Sequence, residues 1–109
     1  MPTDARTLDP DKVARLVEPV MRRWPVREAW VYGSVARGTQ QADSDVDITF
    51  ELVEGARMGW EIWDFQQDLE EALGTKVDLH MPPDPRRARP AFTRSYNRDK
   101  VKIYERTAK

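Results

Sequence analysis

The sequence predicts an α/β (α+β) domain in which helices pack on a small mixed β-sheet. Three observations carry this. Val13, Leu16, Val17, Val20, Met21 and Trp24 recur at helical spacing and form one apolar stripe. From Asp45 to Leu52, Val46, Ile48, Phe50 and Leu52 alternate with Asp45, Asp47, Thr49 and Glu51, the period of a strand with two unlike faces. Along the chain the patterns run α-β-β-α-β-α with a closing short strand, so that helices and strands interleave around one sheet.

Each element has its own local signals. Asp9-Pro10 reads as a helix N-cap followed by proline at the first helical position. Pro19 removes a backbone donor inside this helix and should kink it, and Pro25 ends it. Glu28 to Tyr32 is a short strand of β-formers stopped at Gly33. Trp60 to Leu73 reads as an amphipathic helix with Trp60, Trp63, Leu69, Ala72 and Leu73 inward and Gly74 as its C-terminal cap. Lys76 to Met81 is a third strand, with Val77, Leu79 and Met81 facing one way and Asp78 and His80 the other. Pro82, Pro83 and Pro85 form a stiff turn. A last helix follows from about Pro85 to Tyr96, disturbed by Pro90, and Val101 to Tyr104 forms the final strand.

Composition narrows the classes of function. A length of 109 residues suits one domain spanning 1–109. Hydrophobic residues make up 39%, enough for a core. Cysteine is absent, which removes disulfide frameworks and thiolate metal sites. No apolar run reaches membrane-spanning length and Met1 to Pro10 has no apolar signal core, so a cytoplasmic protein with no membrane association is expected. The net charge of -1 argues against a nucleic-acid coat, and no direct nucleic-acid binding is expected. The charge is nonetheless uneven. Asp43 to Asp78 holds eleven acids against two bases, and Pro85 to Lys109 holds nine bases against two acids. That split reads either as solvated faces or as a cation-binding centre beside a basic tail that meets phosphates or an acidic partner.

The chemistry concentrates between Gly33 and Asp47. Asp45 and Asp47 lie two apart on a strand, so their carboxylates point the same way and repel unless a cation lies between them. Magnesium takes such hard oxygen ligands and completes its shell with phosphates and water. Asp78 is the lone acid within an otherwise apolar strand and joins the same patch if the two strands are neighbours. Gly33-Ser34 at a strand end allows a sharp turn and close approach of a ligand. Ser34 offers a hydroxyl donor and Arg37 a bidentate one to an anion. Taken singly, each feature has a plainer reading. Gly-Ser is most often a turn, Asp-x-Asp a solvated face, and Asp78 an edge charge. His80 reads as a half-exposed strand residue, and Trp60, Trp63 and Phe65 as core. The conjunction of a phosphate turn, two carboxylates and a third on an apolar strand is what raises the odds.

Gly33-Ser34, ten residues, then Asp45-Val46-Asp47 resembles the signature of the DNA polymerase β-like nucleotidyltransferase superfamily. The longer string from Tyr32 to Gly38, leading to Ser44-Asp45-Val46-Asp47-Ile48, resembles its minimal nucleotidyltransferase (MNT) branch, and Lys76-Val77-Asp78-Leu79 falls where that family carries a third carboxylate. The resemblance spans roughly Leu16 to Tyr104. It implies the nucleotidyltransferase fold, ATP as substrate, and two Mg2+ ions held between Asp45, Asp47 and Asp78 as catalytic residues. It also implies a triphosphate held by Gly33, Ser34, Arg37 and Ser44. Minimal members resemble antitoxins encoded beside a HEPN-domain ribonuclease toxin, in which AMP is transferred to a toxin tyrosine. Two other readings remain open at the sequence level: transfer to a small molecule or RNA end, and a binding antitoxin that acts by contact alone.

Overall fold

The computed structural model describes residues 8–32, 45–82 and 86–106. Helix α1 spans Pro10–Arg23, strand β1 Val26–Tyr32, strand β2 Val46–Leu52, helix α2 Glu61–Leu73, strand β3 Val77–His80, helix α3 Pro90–Asp99 and strand β4 Val101–Glu105. The strands form one mixed sheet of order β3-β2-β1-β4. β1 is antiparallel to both β2 and β4, while β2 and β3 are parallel. The parallel pair is joined through α2, the usual crossover for such strands.

Local chemistry explains the element ends. Asp9 caps α1 by accepting a hydrogen bond from the Lys12 amide at 2.8 Å, with Pro10 in the first turn. α1 continues through Pro19, which removes one helical donor without ending the helix. Gly74 closes α2 in the left-handed conformation, φ 73°, and its amide donates to the Glu70 carbonyl at 2.7 Å.

One face of the sheet carries the core. Val31, Val46, Ile48 and Val77 point toward α1 and α2 and meet Val13, Val17, Met21, Phe65 and Leu69, all fully or nearly fully buried. Full burial of a side chain such as Leu69 or Phe65 contributes roughly 1.5–3 kcal/mol. Phe65 packs edge-on against Phe50, with ring centroids 5.3 Å apart, and against Trp24 at 5.7 Å. The Trp24 indole also donates to Asp68 at 3.1 Å, which ties α1 to α2.

Two expectations need correction. Trp60 and Trp63 do not face inward: they are 86% and 65% exposed. The buried face of α2 is set by Phe65, Leu69 and Leu73, four residues apart. Trp63 lies about 200° around the helix from Phe65 and therefore faces solvent, while Trp60 precedes the first turn. Pro90 does not disturb the last helix but begins it, because a residue without an amide proton costs nothing in the first turn. Part of the basic tail also has a structural role. The Arg106 guanidinium donates to the carbonyls of Met21 at 3.2 Å and Trp24 at 2.7 Å, acceptors left by the end of α1, and to that of Val26 at 2.8 Å at the start of β1.

Candidate active site

The second face of the sheet bears the polar residues, and strand register places them in rows. Tyr32 of β1 pairs with Asp47 of β2, and Asp47 with Asp78 of β3. One step along, Trp30 pairs with Thr49, and Thr49 with His80. The alternation of each strand puts both rows on the face opposite the core. Asp47, Asp78 and His80 come together, each with a ligand-type atom within 4.8 Å of the others. Asp47 is half-buried on the interior strand, whereas Asp78 and His80 are exposed on the edge strand. Asp45 is exposed immediately before β2 and is not part of this three-residue group. Gly33, Ser34, Arg37 and Ser44 lie outside the described residues.

Helix α3 covers the middle of this face. Tyr96 is buried and its hydroxyl is hydrogen-bonded to that of Thr49, itself 1% exposed. Its ring meets Tyr32 edge-on at 5.3 Å. Lys100 sits over the Trp30 ring at 5.1 Å and the Tyr96 ring at 5.2 Å. Beyond Tyr96, toward β3, the cover stops. A cavity of about 210 Å³ opens there, lined by Tyr32, Thr49, His80, Met81, Phe92 and Tyr96. The Tyr32 phenol is pushed up to about 12, first by burial and then by the neighbouring Asp47 carboxylate. It therefore stays protonated, a fixed hydroxyl beside the carboxylates.

The donor set fits a divalent cation. Two carboxylates supply hard oxygen ligands on one side, and exposure leaves room for phosphates and water on the other. His80 adds an imidazole, a ligand that magnesium uses less than softer divalent metals do. His80, expected from the sequence to be a half-exposed residue on the strand face of Asp78, is exposed on that face. Its period-two spacing from Asp78 was the available signal, but only the parallel β2–β3 register shows that it reaches Asp47. A larger open groove, about 510 Å³, lies between α1 and β4 beside Glu18, Arg22, Tyr104 and Arg106. It holds no comparable convergence of carboxylates among the described residues.

The chain is similar to several known proteins. A relative in Methanocaldococcus jannaschii, with a provisional protein-adenylyltransferase name, is 33% identical over 69 residues, covering 63% of this chain and 73% of its own. The protein adenylyltransferase MntA of Thermococcus cleftensis is 41% identical over 59 residues, 54% of this chain and 59% of that protein. Among solved structures, a minimal nucleotidyltransferase aligns at 27% identity with a TM-score of 0.65, over 86% of this chain and 95% of that one. A toxin–antitoxin structure with AMP-PNP shares the fold at 22% identity and a TM-score of 0.63, over 85% and 73% of the two chains. So does an MNT antitoxin in complex with a tri-AMPylated HEPN toxin of Shewanella oneidensis, at 17% identity and a TM-score of 0.57, over 89% and 73%. The nucleotidyltransferase domain profile matches residues 13–107. With the mixed sheet, the paired carboxylates and this match over most of its length, the chain belongs to the nucleotidyltransferase family.

Proposed function

We propose that this protein transfers AMP from ATP to a tyrosine hydroxyl of a HEPN-domain toxin encoded beside it, and so acts as an antitoxin in the cytoplasm. The observation that carries the reading is the in-register pair Asp47 and Asp78 on the face of the sheet opposite the core. The relatives add support: two carry adenylyltransferase names, and one fold neighbour is bound to an AMP-modified HEPN toxin.

In the proposed reaction the acceptor oxygen attacks the α-phosphorus of ATP, pyrophosphate leaves, and the hydroxyl proton passes to a base. Asp45, Asp47 and Asp78 would hold two Mg2+ ions, which supply charge neutralisation at the phosphates and lower the barrier to attack. Gly33, Ser34, Arg37 and Ser44 would hold the triphosphate. Asp78, exposed at the edge of the site, is the carboxylate best placed to receive the acceptor proton. Tyr32 keeps its hydroxyl protonated beside Asp47 and can donate a hydrogen bond there.

The test is intact-mass spectrometry of the neighbouring toxin after incubation with this protein, ATP and Mg2+. A gain of about 329 Da, or a multiple of it, is expected from transfer of AMP units to the acceptor. A toxin that is inhibited while its mass stays unchanged would replace transfer with neutralisation by contact.

A further inference from the structure

We infer that the cavity between β3 and α3 is a ring-binding subsite that seats the phenol of the acceptor beside the carboxylates. The inference rests on the function proposed above and assigns the acceptor a place on this chain.

Three features point to this occupant. The first is position. His80 both lines the cavity and lies within 4.8 Å of the Asp47 and Asp78 ligand atoms. A group held in the cavity is therefore next to the carboxylates, with one residue common to both. The second is the wall chemistry. Phe92 and Met81 are 47% and 59% exposed at the mouth, Tyr96 and Tyr32 line the inner part, and Phe92 lies nearly parallel to Tyr96 at 6.4 Å. Aromatic rings and a thioether are good partners for another ring, through edge, stacked and sulfur contacts. The third is where the polar groups of the walls lie. The Thr49 and Tyr96 hydroxyls are turned to each other, whereas the polar atoms of Tyr32 and His80 belong to the rows that carry Asp47 and Asp78, so the free hydrogen-bonding groups gather on the carboxylate side. A ring with apolar faces and one hydroxyl at a single end matches polar groups gathered on one side better than a purine, whose nitrogens are spread around both rings and would be met on that side alone. A volume of about 210 Å³ takes one substituted six-membered ring.

Such a subsite would favour tyrosine over serine or threonine. A serine or threonine hydroxyl sits on a short stem and gains nothing from the aromatic walls. A phenol places its hydroxyl beyond the ring, so a seated ring can direct it out of the cavity toward Asp78.

The experiment uses the whole protein and p-cresol, the tyrosine side chain, as probe, and it requires no catalysis. Titration is followed by NMR at the Met81 methyl group. Saturable shifts are expected at millimolar p-cresol, with cyclohexanol binding more weakly and adenosine failing to displace the probe. Phe92→Ala should weaken p-cresol about fivefold, the scale of losing one aromatic contact, and Phe92→Tyr should restore it. Because Phe92 is half exposed, neither change threatens the core. Binding of p-cresol without any AMP transfer would leave the subsite standing and remove the proposed reaction. Displacement by adenosine, or Met81 signals that do not move, would overturn the subsite even if transfer occurs.

Discussion

Asp78→Asn separates a catalytic carboxylate from a surface charge, because only the catalytic role predicts a loss of AMP transfer and a weaker response to Mg2+. The Asp47 and Asp78 carboxylates lie within 4.8 Å of each other. Two unit charges at that distance repel by roughly 0.9 kcal/mol at the dielectric of water, and by roughly twice that at half the dielectric. Asp78 is exposed, so the lower figure applies. In EDTA, Asp78→Asn should therefore stabilise the fold by about 1 kcal/mol, a rise in Tm of a few degrees for a domain of this size. Added Mg2+ should reverse the order. The wild type gains stability from ion binding by linkage, and the variant gains less. ATP should bind the wild type in Mg2+ far more tightly than in EDTA, and Asp78→Asn should retain most of that affinity. AMP transfer by the variant should fall by about 10²–10⁴, the scale of losing a general base. Thermal melts in EDTA and in Mg2+, calorimetry with ATP, and single-turnover transfer read these quantities. If Asp78→Asn transfers AMP at the wild-type rate and responds to Mg2+ as the wild type does, Asp78 is only an edge charge and the proposed base must be sought at His80.

Two other changes test the phosphate turn and the cover of the site. Ser34→Ala should weaken transfer by about one to two decades, since a charge-assisted hydrogen bond contributes roughly 1.5–3 kcal/mol; wild-type kinetics would reduce Ser34 to a turn residue. Thr49→Val removes the hydroxyl that pairs with the buried Tyr96 and leaves a phenol without its partner. It should cost about 1–3 kcal/mol in urea unfolding, and an unchanged midpoint would show that α3 is not anchored through this bond.

Features set by neighbours in sequence were legible before the structure. Asp9-Pro10 begins α1, Gly74 ends α2, and the alternation through Val46, Ile48 and Phe50 marks the central strand, because caps and strand faces depend on a few adjacent residues. What misled was phase and partnership. Trp60 and Trp63 are large and apolar, so they read as core, yet the helix turns its Phe65–Leu69–Leu73 side inward. Pro90 reads as a breaker unless the helix is known to begin there. Arg106 falls within the basic run from Pro85 to Lys109, whose charge alone does not reveal that its partners, the carbonyls of Met21, Trp24 and Val26, lie some eighty residues earlier. The site was legible in part. Asp47 and Asp78 were marked by motif and do converge, whereas the place of His80 depends on a parallel register that no local pattern encodes.

The position of Asp47 decides between the plain reading of these charges and the functional one. Edge protection explains Asp78 and His80 well, since β3 is an edge strand and exposed polar groups discourage pairing with another chain. It does not explain Asp47, which sits half-buried on β2, between β1 and β3, where no edge exists to protect. Burying part of a carboxylate costs free energy, and setting it directly beside a second one adds repulsion. Packing alone would favour an apolar or neutral residue at that point, as it does one step along the strand at Thr49. The sheet keeps its aliphatic residues Val31, Val46, Ile48 and Val77 for the face beneath α1 and α2, and on the other a cavity opens between α3 and β3. The two carboxylates are thereby left near solvent, where a cation and its phosphates can reach them. A charged pair that weakens the empty fold and lies beside an open cavity, with His80 common to both, is what a cation-dependent phosphate site requires.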